Sequence, residues 1–127
     1  MRRLAAIAIL LLAAACAAPP GPQRQVVFFD EWSAALDSHA LGVVKAAAEA
    51  AMKQANAPVT VIGYADPEGS PEANIAISRA RAENVVAELV KAGLPAGRIN
   101  RQARGATAFT GTAPVESRRV EIVIGAP

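Results

Sequence analysis

Apolar residues recur along this chain with two different periods. Gln25-Val26-Val27-Phe28-Phe29 is a short run rich in β-formers and predicts a first strand. Asp37 or Ser38 can then cap a helix running to about Ala55. Within it Leu41, Val44, Ala47, Ala48, Ala51 and Met52 recur at three and four, which predicts a single buried stripe. Asn56-Ala57-Pro58 ends that helix. Val59 to Tyr64 predicts a second strand, followed by the turn-rich Asp66-Pro67-Glu68-Gly69. Ser70-Pro71-Glu72 places a capping hydroxyl, a proline at the first helical position and an acid in the first turn of a second helix. That helix continues through Val85, Val86, Leu89 and Val90, with Gly93 as its stop and Pro95 beyond. Ile99 to Gly105 predicts a third strand. Arg118 to Ile124, alternating polar and apolar, predicts a fourth.

The order is β-α-β-α-β-β. Strand–helix–strand units cross right-handedly, which puts both helices on the same face. The expected fold is α/β: a two-layer sandwich in which a mixed four-stranded sheet is covered by two helices.

Ahead of these elements Arg2 and Arg3 make a basic start, and Leu4 to Ala15 is an unbroken apolar run. As a helix that run is about 18 Å long, against the ~30 Å needed to span a bilayer. Together with the small residues before Cys16 it reads as a secretory signal. A lone cysteine in an exported chain cannot form an internal disulfide and needs another use. Leu12-Ala13-Ala14-Ala15-Cys16 resembles the lipobox of bacterial lipoproteins, with Leu12 one residue further from the cysteine than is usual. The resemblance implies an acylated Cys16 at the new N-terminus. Ala17, in place of aspartate, implies the outer membrane. The alternative is a plain signal cleaved elsewhere. The expected organisation is a signal over residues 1–15, a lipidated cysteine and short Pro/Gly linker over 16–24, and one domain over 25–127. Eight residues from Cys16 to Gln23 reach roughly 25–29 Å when extended, so the domain sits close to its membrane.

Loss of Arg2 and Arg3 changes the charge balance. The chain has 13 Lys+Arg and 11 Asp+Glu, and the mature part is left with 11 of each. A neutral domain gives no basis for nucleic-acid binding. The single histidine, His39, has no companions suited to a metal, and no cofactor motif is present. Catalysis needs a nucleophile with a base, paired acids or a metal, and none of these sets is evident. The expectation is a protein that is not an enzyme.

The chemistry is concentrated between Gly63 and Val85. On a helical wheel Asn74, Ser78, Arg81 and Val85 share one narrow stripe, with Ile75, Ala82, Val86 and Leu89 beside it as core. Asp66 lies at the exit of the second strand, on the loop that feeds this helix. From periodicity alone the pair reads either as a structural Asp66–Arg81 bridge bracing the loop or as two opposite charges facing one groove. Trp32 and Tyr64 read as core or groove wall, and Arg119 and Asp30 as lesser candidates at the groove edge.

The segment resembles the OmpA-like peptidoglycan-binding domain, most of all that of the peptidoglycan-associated lipoproteins. The family's Gly-(His/Tyr)-(Thr/Ala)-Asp stands here as Gly63-Tyr64-Ala65-Asp66, its Gly-Ser/Thr as Gly69-Ser70, and its Asn-x-x-Leu-Ser-x-x-Arg-Ala-x-x-Val as Asn74 to Val85. Phe28-Phe29-Asp30 through Ser33 and Leu36 resembles the family's first strand and loop, and Arg118 to Ile122 its closing strand. The likeness spans about residues 25 to 124. It departs at Ser117, where the family usually has asparagine, and in a shorter segment between Gly105 and Ser117; no barrel precedes the domain.

The resemblance implies that Asp66 takes the ammonium and Arg81 the carboxylate of the free end of meso-diaminopimelate, with Asn74 and Ser78 orienting Asp66 or touching the ligand backbone. The partners it implies are peptidoglycan, the outer membrane through the N-terminal lipid, and the Tol system or other envelope proteins. The alternative within the same fold is a periplasmic protein-interaction module that does not bind the wall.

Overall fold

The computed structural model describes residues 21–107 and 114–126. The expected signal, Cys16 and the first part of the expected linker lie outside the described residues, as does the middle of the segment between Gly105 and Ser117. The elements are β1 (Gln23–Phe28), α1 (Ser38–Met52), β2 (Val59–Ala65), α2 (Pro71–Lys91), β3 (Ile99–Ala106) and β4 (Arg119–Ile124). Short 3₁₀ turns at Ala96–Arg98 and Pro114–Ser117 precede β3 and β4. The four strands form one mixed sheet in the order β1-β4-β2-β3. β4 runs antiparallel to both neighbours, and β2 and β3 are parallel. This is the α/β two-layer sandwich expected from the sequence.

Helix starts follow the expected chemistry. The Asp37 carboxylate accepts from the Ala40 N–H at 2.7 Å, and the Ser70 hydroxyl accepts from the Ala73 N–H at 3.1 Å. Each such cap is worth about 1 kcal/mol. The C-terminal end of α1 is closed by Arg98, whose guanidinium donates to the carbonyls of Ala51 and Ala57 at 2.7 Å each, and to that of Gln54. Those carbonyls lie at the helix end, where intrahelical donors run out.

The core lies between the sheet and both helices: Val27, Val59, Val61, Val120, Ile122 and Ile124 from the strands meet Val44, Ala47, Ala48, Ala51, Ala82, Val85 and Leu89. The predicted stripe of α1 is correct at its centre and wrong at its edges. Leu41 and Met52 are 40% and 46% exposed, because small alanines carry the buried face and leave both larger residues in a surface groove beside Lys45 and Glu88. In α2 the predicted core stripe holds at Ala82, Val86 and Leu89 and fails at Ile75, which is 37% exposed, while the polar stripe of Asn74, Ser78 and Arg81 is buried beside it with Val85.

Close approach of α2 to β2 explains the burial of the polar stripe. A Cβ at Gly63 would lie 2.0 Å from the Ser78 carbonyl oxygen. Only a residue without a side chain lets the helix backbone settle there, and the settled helix presses its polar stripe into the interior. The Ser78 hydroxyl is used up in this contact. It donates to the Ile75 carbonyl at 2.9 Å and accepts from the Gly105 N–H at 3.0 Å, tying α2 to β3. Gly63→Ala is therefore expected to destabilise the domain by about 3 kcal/mol, the upper range for overpacking a filled core. Chemical denaturation checks this; a loss under 1 kcal/mol contradicts so tight an approach.

Candidate functional site

Arg81 is the largest fully buried side chain among the described residues, at 1% exposure. A guanidinium carries five N–H donors and no acceptor, so it can be buried only where carbonyls converge. Three do. Arg81 Nε donates to the Ser33 carbonyl at 2.8 Å, Nη1 to the Tyr64 carbonyl at 3.1 Å and Nη2 to the Asp30 carbonyl at 3.0 Å. The ring of Phe29 lies 5.3 Å from the guanidinium carbon. One cation from α2 thus holds the loop after β1 and the end of β2. Burial pulls the Arg81 pKa down from its ordinary value; the nearby Asp66 charge works against that shift, and Arg118 adds to it.

The turn held by Arg81 runs from Asp30 to Ser33 and is closed by the Ser33 N–H on the Asp30 carbonyl at 3.2 Å. Trp32 stands at its third position with φ +53°, the only non-glycine residue with positive φ among those described. Its side chain is 53% exposed. The indole lies across Gly69, whose own φ is +90°; a Cβ there would come within 2.7 Å of Trp32 Cη2. Trp32 is therefore groove wall and not core.

Asp66 stands between two cavities. On one side it lines a pocket of about 10 Å³ with Trp32, Ala65, Asn74, Ile77 and Arg81. Within that set the Asn74 side-chain oxygen is buried and has no hydrogen-bond partner. Acceptors so placed are uncommon and point to a missing donor. On the other side Asp66 lines an open cleft of about 490 Å³ with Glu31, Pro67, Glu68, Val115, Ser117 and Arg118. Three carboxylates against one guanidinium make this cleft net negative.

The direct ion pair of Asp66 is with Arg118, at 3.4 Å between Nη1 and Oδ2. The simple Asp66–Arg81 bridge considered from periodicity is thus not what forms: the two share a pocket wall, but Arg81 spends its donors on carbonyls. Arg118 also donates from Nε to the Phe29 carbonyl at 3.0 Å. Sequence reasoning passed over it, although the alternation of β4 carried the signal. Val120 points to the helices, so Arg118, two residues earlier, falls on that side and Arg119 on the other.

Of the remaining candidates, Asn74 joins Asp66 and Arg81 in the small pocket. Ser78 does not; it is committed to Ile75 and Gly105. Asp30 enters through its carbonyl. Arg119 and the Tyr64 side chain leave the site altogether. On the helix-free face of the sheet the Arg119 guanidinium stacks 4.0 Å from the Tyr64 ring centroid. There the Tyr64 hydroxyl donates to Glu121 at 3.1 Å, and Arg24 and Arg119 pair with the same carboxylate. Burial and the Glu121 charge push the Tyr64 pKa above its ordinary value. Among the described residues no group of His, Cys, Asp and Glu side chains is arranged to hold a metal ion, and no helix is long and apolar enough to cross a membrane.

Residues 28–122 match the OmpA family. The chain is 32% identical over 103 residues to a probable lipoprotein, YiaD, of Escherichia coli K12; the match takes in 77% of this chain and 47% of that protein, so the chain spans about half the length of this relative. The fold is similar to that of the peptidoglycan-associated lipoprotein of Burkholderia pseudomallei, with TM-score 0.72 and 21% identity over 78% of this chain and 88% of that one. It is equally similar to the C-terminal domain of Helicobacter pylori MotB, with TM-score 0.71 and 18% identity over 81% and 85%.

Two outcomes follow from this geometry. Arg81→Ala takes a donor from three backbone carbonyls, of which that of Asp30 keeps another, the Ser33 N–H, and is expected to cost about 3–5 kcal/mol. By thermal melting that is a fall of more than about 10 °C for a domain of this size; a melt within a few degrees of wild type contradicts the clamp. For Tyr64, the raised pKa means that the folded state keeps a proton the unfolded chain gives up. That contribution is fully present below pH ~10 and is lost as pH rises through the folded pKa. Melting temperature should fall above that pH, and less steeply in Tyr64→Phe; identical slopes contradict the assignment.

Proposed function

Because the chain belongs to the OmpA family, we propose that it binds peptidoglycan without catalysis, taking the free end of a meso-diaminopimelate residue at Asp66, Asn74 and Arg81. One observation carries this reading. A carboxylate, an unpartnered buried carbonyl-type oxygen and a buried guanidinium line the same small pocket. The free end of diaminopimelate has an ammonium and a carboxylate on one carbon. The ammonium matches the two acceptors, Asp66 and Asn74 Oδ1. The carboxylate matches Arg81, whose five N–H groups include two beyond those given to the carbonyls. The net-negative cleft beside Asp66 draws in the ammonium end, and Arg118 gives way or turns to the ligand as Asp66 accepts a new donor. Ser78 acts at one remove, by fixing α2 against β3.

We further propose that Cys16 carries the lipid, that the domain faces the periplasm from the outer membrane, and that it thereby links membrane to wall. The similarity to YiaD, a probable lipoprotein, and the sequence around Cys16 support this.

Asp66→Asn removes the charge while keeping the shape. Sedimentation with purified diaminopimelate-type sacculi should fall about tenfold or more, the scale of one charge-assisted hydrogen bond. Wild-type protein on a lysine-type wall, which lacks the carboxylate, should lose a similar factor. Undiminished binding in both arms overturns the site, and absence of wild-type binding favours the protein-interaction alternative. Asp66 is the informative position because Arg81 variants are expected to lose the fold.

A further inference from the structure

The ligand pocket is too small for its ligand in this conformation. About 10 Å³ holds one water at most, and no amino-acid end enters it without a wall moving. The walls differ in what holds them. Arg81 is fixed by three backbone acceptors. Asn74 lies in the second helical turn of α2, whose first turn Ser70 caps. Ala65 is part of β2, where its carbonyl accepts from Thr107. Trp32 alone is half out in solvent, on a turn, in a backbone conformation that L-residues rarely adopt. Its closed position depends on Gly69, since any side chain there would collide with the indole.

We propose that Trp32 is the gate of the binding pocket: the indole rests on Gly69 and swings off it to admit the ligand. The turn that carries Trp32 hangs from Arg81 by both its end carbonyls, Asp30 and Ser33. A ligand carboxylate that pairs with the two remaining N–H groups of Arg81 draws the guanidinium towards itself and away from those carbonyls. Ligand binding and release of the turn are thereby one event, and the gate opens for an anion that reaches the guanidinium. The displaced ring is then free to lie along the aliphatic chain behind the ligand's charged end. This inference rests on the diaminopimelate reading.

The chain contains one tryptophan, so its fluorescence reports on Trp32 alone. The probe is a stem tripeptide ending in free meso-diaminopimelate, dye-labelled at its other end, added to the full chain in detergent. Wild type should bind it with a change in tryptophan emission. Trp32→Ala should associate at least about tenfold faster, since an open state populated at 10% or less limits the wild type. Trp32→Phe, with a smaller ring, should fall between. Binding by wild type with unchanged emission overturns the gate and leaves the ligand assignment standing, as does an equal or slower association rate in Trp32→Ala. Failure of wild type to bind the tripeptide overturns the assignment and the gate with it.

Discussion

The site depends on one buried cation. Arg81 sits where a hydrophobic residue would ordinarily complete the stripe of α2, yet its guanidinium ends among carbonyls of the loop after β1 and of the last turn of β2. Burying an unpaired charge is prohibitive, and burying one among several backbone acceptors is tolerable. The consequence is mutual. The loops are held because Arg81 needs their oxygens, and Arg81 stays charged in the interior because the loops supply them. The loop after β1 and the end of β2 are thereby fixed to a helix, and Trp32 from the one and Ala65 from the other line the pocket.

The second constraint is a missing side chain. Gly63 lets α2 approach β2 closely enough for Ser78 to reach β3. The same approach carries Asn74 and Arg81 inward with it. A polar stripe at this helical position would otherwise face water. Here it is forced under the loops, leaving the Asn74 oxygen without a donor. An unmet acceptor, a carboxylate and a guanidinium in one small pocket are what the proposed fit of a zwitterion rests on.

Much of this was legible in the sequence. Caps at Asp37 and Ser70, the strand periods and the stop at Gly93 were sufficient for the element order and for the two-layer sandwich. Spacing from Asp66 to Arg81 brought both residues to one end of the sheet, where they line one pocket. Depth was the part that could not be read. A helical wheel places Asn74, Ser78 and Arg81 on one side but carries no information on how far that side sinks, which Gly63 decides from another element. Arg118 and Arg98 were missed for a related reason. Each acts on backbone oxygens of distant segments, and carbonyls leave no trace in side-chain pattern. Tyr64 misled in the opposite direction: its place in the motif is explained by its carbonyl, while its ring belongs to the far face of the sheet.

The most direct test of the central claim watches Arg81 itself. In nitrogen-15 NMR of the protein, the Arg81 Nε–H and the Asn74 side-chain amide are reporters within the pocket. Titration with an unlabelled peptide ending in meso-diaminopimelate should shift both, together with the backbone amide of Ser33, and leave Arg24 and Glu121 on the opposite face unmoved. Binding that perturbs the helical groove around Leu41 and Met52 while the Arg81 signal stays in place would contradict the account.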